Sequence, residues 1–168
     1  MRTFRLAMLL LSAALIGSAQ TKIAIINSQQ SVLDTVEIKK AQKELEAKFG
    51  PRQQEVDRLQ KEIAGLQAQM QQGQGKLTPQ AEQNIAAQGQ RRQRELQRLT
   101  EDLQADVERE RNDILSRAGA RMRSIVEKLA SERNYDVVVD VNDAVYFKPV
   151  LEITKEATAA YDKAYPAK

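Results

Sequence analysis

Between residues 28 and 133 the chain keeps its apolar side chains on one helical stripe amid charged and Gln-rich surroundings, and short strand-like blocks lie on either side. No other feature limits the fold as much. On the incoming side Phe49, Val56, Ile63 and Met70 recur every seven residues, with Leu59 and Leu66 at the intermediate spacing, which is a short coiled-coil seam. On the outgoing side Leu96, Val107, Ala118 and Leu129 recur every 11, and Leu99, Leu103, Ile114, Met122 and Ile125 fill the stripe. An 11-residue period predicts a straight helix or a slight right-handed drift. Gly73, Gly75 and the Thr78-Pro79 pair separate the two seams: glycine ends the first helix, and Thr78 caps the second with Pro79 in its first turn. So short a connection makes the helices antiparallel neighbours. A helix from Pro79 to Arg133 would reach roughly 80 Å, too long to fold back into a globule. Gly50-Pro51 predicts a kink or local break in the incoming helix.

The flanking blocks read as strands. Lys22-Ile23-Ala24-Ile25-Ile26-Asn27 is short and Ile-rich, and Tyr135–Val141 and Ala144–Phe147 follow the hairpin. Asn142-Asp143 predicts a tight turn pairing the last two. Pro149 suits the first turn of a closing helix, with Val150, Ile153, Ala157, Ala160 and Ala164 spaced 3 or 4 apart. The expected organisation is α+β but mostly α: a β-sheet body from 20–35 and 134–168, and a helical arm over 36–133 with its tip near 71–79.

The sequence also narrows the chemistry. It has no His and no Cys, which removes the usual zinc sites, thiol nucleophiles and imidazole acid–base groups. Asp136, Asp140 and Asp143 cluster around the expected turn, where aspartates ordinarily serve the turn itself. No catalytic residue, metal or cofactor is expected. Arg2 and Arg5 precede an apolar run over Leu6–Ile16 and the small residues Gly17-Ser18-Ala19. That pattern predicts an export signal over 1–19 cleaved near Ala19-Gln20, since a bilayer span needs roughly 20 apolar residues. Removing it leaves 24 basic against 23 acidic residues, a near-neutral balance that, together with export, argues against nucleic-acid binding.

A body this small, without disulfides or metal, needs oligomerisation to complete its core. Ile23, Ile25, Val137, Val139, Val141, Val145 and Phe147 are the candidates for burial between subunits; packing within one subunit is the alternative.

The KIAIIN block at 22–27, the long charged hairpin, YDVVVDVNDAVYF at 135–147 and the terminal helix together resemble the Skp (OmpH-like) family of periplasmic chaperones for outer-membrane proteins. The likeness is most specific in the strand blocks. It implies a homotrimer with a β-sheet body and three projecting arms that enclose unfolded β-barrel proteins without ATP. Gly50-Pro51 and the Gln/Gly-rich tip depart from the family pattern.

A holdase of this kind needs many weak contacts and no reactive group. Met70, Leu77 and Ile85, near the arm's end, are candidate client contacts, or else they close the hairpin seam. Arg91, Arg92, Arg94 and Arg98 crowd one stretch and, with Lys76, form a candidate basic patch for acidic clients. The family's association with lipopolysaccharide and anionic lipid makes that patch the place such a partner would bind. Its alternative is a solvated face with intrahelical pairs such as Glu95 with Arg91 or Arg98. The rival from another class is a coiled-coil spacer or adaptor of the cell envelope, though a strand or two at each end gives it little to dock with.

Overall fold

The computed structural model describes residues 21–167, so the expected export signal at 1–19 lies outside the described residues. Strand β1 (Ile23–Ile26) leads into the short helix α1 (Ser28–Leu33), capped by the Asn27 side chain, which accepts from the Gln30 amide at 2.8 Å. Thr35 breaks the helix and caps the next, accepting from Ile38 N through its own hydroxyl. Helix α2 (Val36–Gln72) then runs to the tip. There the chain turns through Gly75, whose φ of 73° is the left-handed conformation glycine tolerates. Thr78 caps helix α3 (Pro79–Arg133), with Pro79 in its first turn as the sequence predicts. Asn134 ends it in the left-handed region at φ 53°, and the Tyr135 amide returns to the Ala130 carbonyl at 2.9 Å.

Strand β2 (Val137–Asp140) pairs with β1 in parallel, Ile23 opposite Val137 and Ile25 opposite Val139. A parallel pair needs a long crossover, and here the crossover is the whole arm. The chain later returns to the other edge of β1 through a bridge between Ile25 and Glu152, with Ile153 N donating to Ile25 O at 2.8 Å, before helix α4 (Thr154–Ala164). One face of this small sheet is covered: Ala24, Ile26 and Val138 pack on Met122, Ile125 and Leu129 of α3 and on Ala157 and Tyr161 of α4. A second, separate core lies up the arm, where Phe49, Val56 and Leu103 are buried with Leu45, Leu96, Leu99 and Val107 around them.

Five expectations are corrected. Ala144–Phe147 is not a strand in this chain. Asp140 Oδ1 accepts from the backbone and side-chain nitrogens of Asn142 at 3.0 and 2.8 Å, which winds Val141–Asp143 into a 3-10 turn and steers the chain off the sheet. Pro149 opens a 3-10 turn, Pro149–Leu151, rather than the last helix, because Glu152 must be extended to reach Ile25. Helix α2 passes through Gly50-Pro51 unbroken: the seam residues Phe49, Val56 and Leu59 are buried on both sides of the proline, whose own ring is exposed. The body's core extends beyond 20–35 and 134–168, recruiting Ile38 and the arm root from Ala118 to Leu129. Finally, Ile25, expected between subunits, is buried within one chain, 4% exposed, on the central strand that pairs with β2 on one edge and bridges to Glu152 on the other.

Candidate functional site

The surfaces available for function follow from which residues the fold covers. Side chains alternate across a strand, so Ile23, Ile25, Val137 and Val139 share the sheet face turned away from the helices. Ile23 and Val137 are 40% and 43% exposed there. Val139, Val141 and Phe147 are half-buried, whereas Val145, Tyr146 and Val150 are almost wholly exposed. The Ile23–Val137 end of the apolar sheet face is thus left uncovered in a single chain, as are the large side chains of Val145, Tyr146 and Val150, while Ile25 on the same face is buried; exposed apolar groups of this kind usually mark an interface.

The arm is anchored to the body by a polar junction. Glu37, in the first turn of α2, accepts from the Arg121 guanidinium of α3 at 2.8 and 2.9 Å and from the Tyr161 hydroxyl of α4 at 2.6 Å. Burial and then the Glu37 hydrogen bond push the Tyr161 phenol up to about 12. The Arg121 guanidinium also lies 4.9 Å from the centre of the Tyr165 ring, a cation–π contact. Asp162 accepts from the Val36 amide at 2.9 Å, adding a further tie between α4 and the start of α2. Where β2 ends, Asp140 accepts from the Ser28 amide as well as from Asn142, and these hydrogen bonds hold its carboxyl at about 2.

Ion pairs continue up the arm: Lys48 with Glu110, Arg52 with Asp106 at 2.7 Å, and Glu62 with Arg92 at 3.0 Å. The Arg52 hydrogen bond lowers the Asp106 pKa. Arg92 therefore faces the partner helix, and it pairs with Glu95 at 2.7 Å, the partner that the sequence assigned to Arg91 or Arg98. Arg98 reaches Asp102 at 3.7 Å while staying exposed, and Arg94 and Arg98 line a shallow groove with Glu55, Glu95 and Asp102. Arg91 and Arg94 are exposed and form no ion pair among the described residues. Lys76 is exposed at the tip. The basic patch thus divides into one bridging arginine and three outward ones with acidic neighbours.

Met70, Leu77 and Ile85 are all half-buried. Leu77 folds back over Gly73, where a Cβ would come within 2.5 Å of the leucine side chain, so the tip turn depends on that glycine. The Glu37–Arg121–Tyr161 junction escaped the sequence reading because its members lie 84 and 124 positions apart. Only the local caps at Thr35 and Thr78 carry a readable signal.

With this geometry in place, a family profile described as outer membrane protein (OmpH-like) matches residues 22–161. The chain belongs to the OmpH-like family. The match takes in both strands, the entire arm and most of α4. A Skp-like protein of Pseudomonas aeruginosa PAO1 is 23% identical over 151 residues, spanning 88% of this chain and 90% of that one. The chaperone protein Skp of Pectobacterium atrosepticum is 26% identical over 152 residues, with the same coverage of both chains. A crystallised candidate OmpH-like outer membrane chaperone from Caulobacter crescentus CB15 shares the fold with a TM-score of 0.70 at 18% identity, covering 90% of each chain. The family is non-enzymatic.

Proposed function

We propose that this chain is a periplasmic, ATP-independent holdase that keeps unfolded outer-membrane β-barrel proteins from aggregating on their way to the outer membrane. The observation that carries this reading is the division between a body with exposed apolar side chains and an arm that projects from it. Ile23, Val137, Val145, Tyr146 and Val150 offer a surface that further copies of the chain would bury. Assembly as a homotrimer would set three arms around a common space, and the family membership and the Skp relatives support that arrangement.

Holding a client in such a space takes many weak contacts rather than one strong site. Met70, Leu77 and Ile85 supply adaptable apolar groups near the arm's end. Lys76, Arg91, Arg94 and Arg98 supply a salt-sensitive attraction for acidic segments of a client, or for lipopolysaccharide and anionic membrane.

The test joins mass to activity. The protein without residues 1–19 should have three times the chain mass in solution, and it should suppress light scattering from a diluted, urea-unfolded outer-membrane barrel without nucleotide. Val137→Lys with Val145→Lys should reduce the mass to that of one chain and abolish suppression. A monomeric wild type that leaves scattering unchanged would remove the holdase reading and favour a passive envelope spacer.

A further inference from the structure

The polar ties between α2 and α3 stop well short of the tip. The outermost is Glu62–Arg92; beyond it no side-chain hydrogen bond or ion pair crosses between the two helices among the described residues. Burial also ends short of the tip: on α2 Ile63, beside that pair, is the last buried residue on the way out, and on α3 the first on the way back is Leu103, about three turns below Arg92. The charge pattern changes there as well, since Lys76 and Glu82 are the only charged side chains from Ile63 to Gln90. Polar ties, charge and burial thus all fall away towards the tip, leaving a tied shank and an outer segment held by a half-buried seam alone.

Two glycines mark the boundary. Gly65 lies three residues beyond Glu62, and Gly89 lies three residues before Arg92, so the Glu62–Arg92 pair sets them at one level of the antiparallel hairpin. Both are inside helices, where glycine weakens the helix relative to alanine. Neither is needed for space, because a Cβ at either position would meet nothing within 4 Å. Neither has positive φ, whereas Gly75 does, and Gly73 is constrained by Leu77. Their shared consequence is a weakened helix on both sides of the hairpin at the same height.

We propose that residues 66–88 form a separately flexing fingertip, hinged at Gly65 and Gly89, which opens its half-buried seam of Leu66, Met70, Leu77 and Ile85 to apolar segments of an unfolded polypeptide. The exposed amides of Gln67, Gln71, Gln83 and Gln88 rim that seam; each both donates and accepts, so they suit the unpaired backbone groups of an extended chain whatever its charge. The choice of partner rests on the holdase reading, while the hinge does not.

The experiment uses the full assembled protein and the double variant Gly65→Ala/Gly89→Ala, with Gly119→Ala as control; Gly119 is also helical and open to a Cβ, but at the arm root. Hydrogen exchange without client should be at least about tenfold faster in 66–88 than in 96–130, as expected for a segment without buried contacts. The double variant should slow fingertip exchange about fivefold or more and weaken binding of a urea-unfolded outer-membrane barrel several-fold, and Gly119→Ala should do neither. Wild-type fingertip exchange as slow as the shank's, or unaltered in the double variant, overturns the hinge. Slowed exchange with unaltered binding overturns the opening of the seam to clients. A wild type that binds no unfolded barrel removes the holdase reading and leaves the exchange result standing.

Discussion

Body and arm are both held by apolar contacts, yet they are built differently. The body's core draws on β1, the root of α3, Ile153 and α4, segments separated by as much as the length of the arm, and it buries Ala24, Ala118, Ala157 and Tyr161 completely. The arm's core is one seam between two neighbouring helices, and its best-covered members past the root, Phe49, Val56 and Leu59, all lie below the Glu62–Arg92 pair. A core gathered from distant segments melts as a unit, whereas a seam between two helices can loosen progressively from its open end. On the proposed holdase reading, a firm base with arms that loosen from their ends would suit clients of different size.

Three substitutions would break or sharpen this contrast. The largest effect is expected for Tyr161→Ala, which empties a fully buried aromatic site and leaves Glu37 without its hydroxyl donor. It should cost about 3–5 kcal/mol and lower the midpoint of urea unfolding for body and arm alike. Leu103→Ala removes one of the buried residues of the arm's core and should cost about 2 kcal/mol. That loss should appear as faster hydrogen exchange in the arm with the body's protection retained; equal loss in both regions would mean the two melt as one unit.

The smallest effect concerns acid. The Asp140 carboxyl sits at about 2 in the folded chain against an ordinary 3.8, so its contribution is present above pH 4 and disappears as pH falls through 2. Asp140→Asn should therefore flatten the dependence of stability on pH between 4 and 2, read from thermal midpoints, with little consequence for the arm. A slope unaltered by the substitution would assign the acid response to other carboxylates.

Much of the arm was legible because helices are specified locally. The seven- and 11-residue spacings, the Thr78-Pro79 start and the glycines of the tip each act over a few positions, and each is found where it was expected. Pro51 misled for the complementary reason: its local penalty was outweighed by a buried seam on both sides. Of the expected basic patch, Arg92 proved to be a bridge between helices, because facing is fixed by a partner 30 positions away. The strand blocks were recognisable as β-forming, but Ala144–Phe147 turned away from the sheet under the pull of Asp140 on Asn142.

From its sequence alone the chain was bound to form a long antiparallel helical pair between two Ile- and Val-rich strands, since periodicity and caps act within a turn or two of where they are written. Only the tertiary structure decided that the strands run parallel, that one sheet face packs on the helices while the other keeps Ile23 and Val137 exposed, and that Glu37, Arg121 and Tyr161 join arm to body. Those outcomes depend on groups that meet only after the arm has doubled back, and no local pattern in the chain encodes such a meeting.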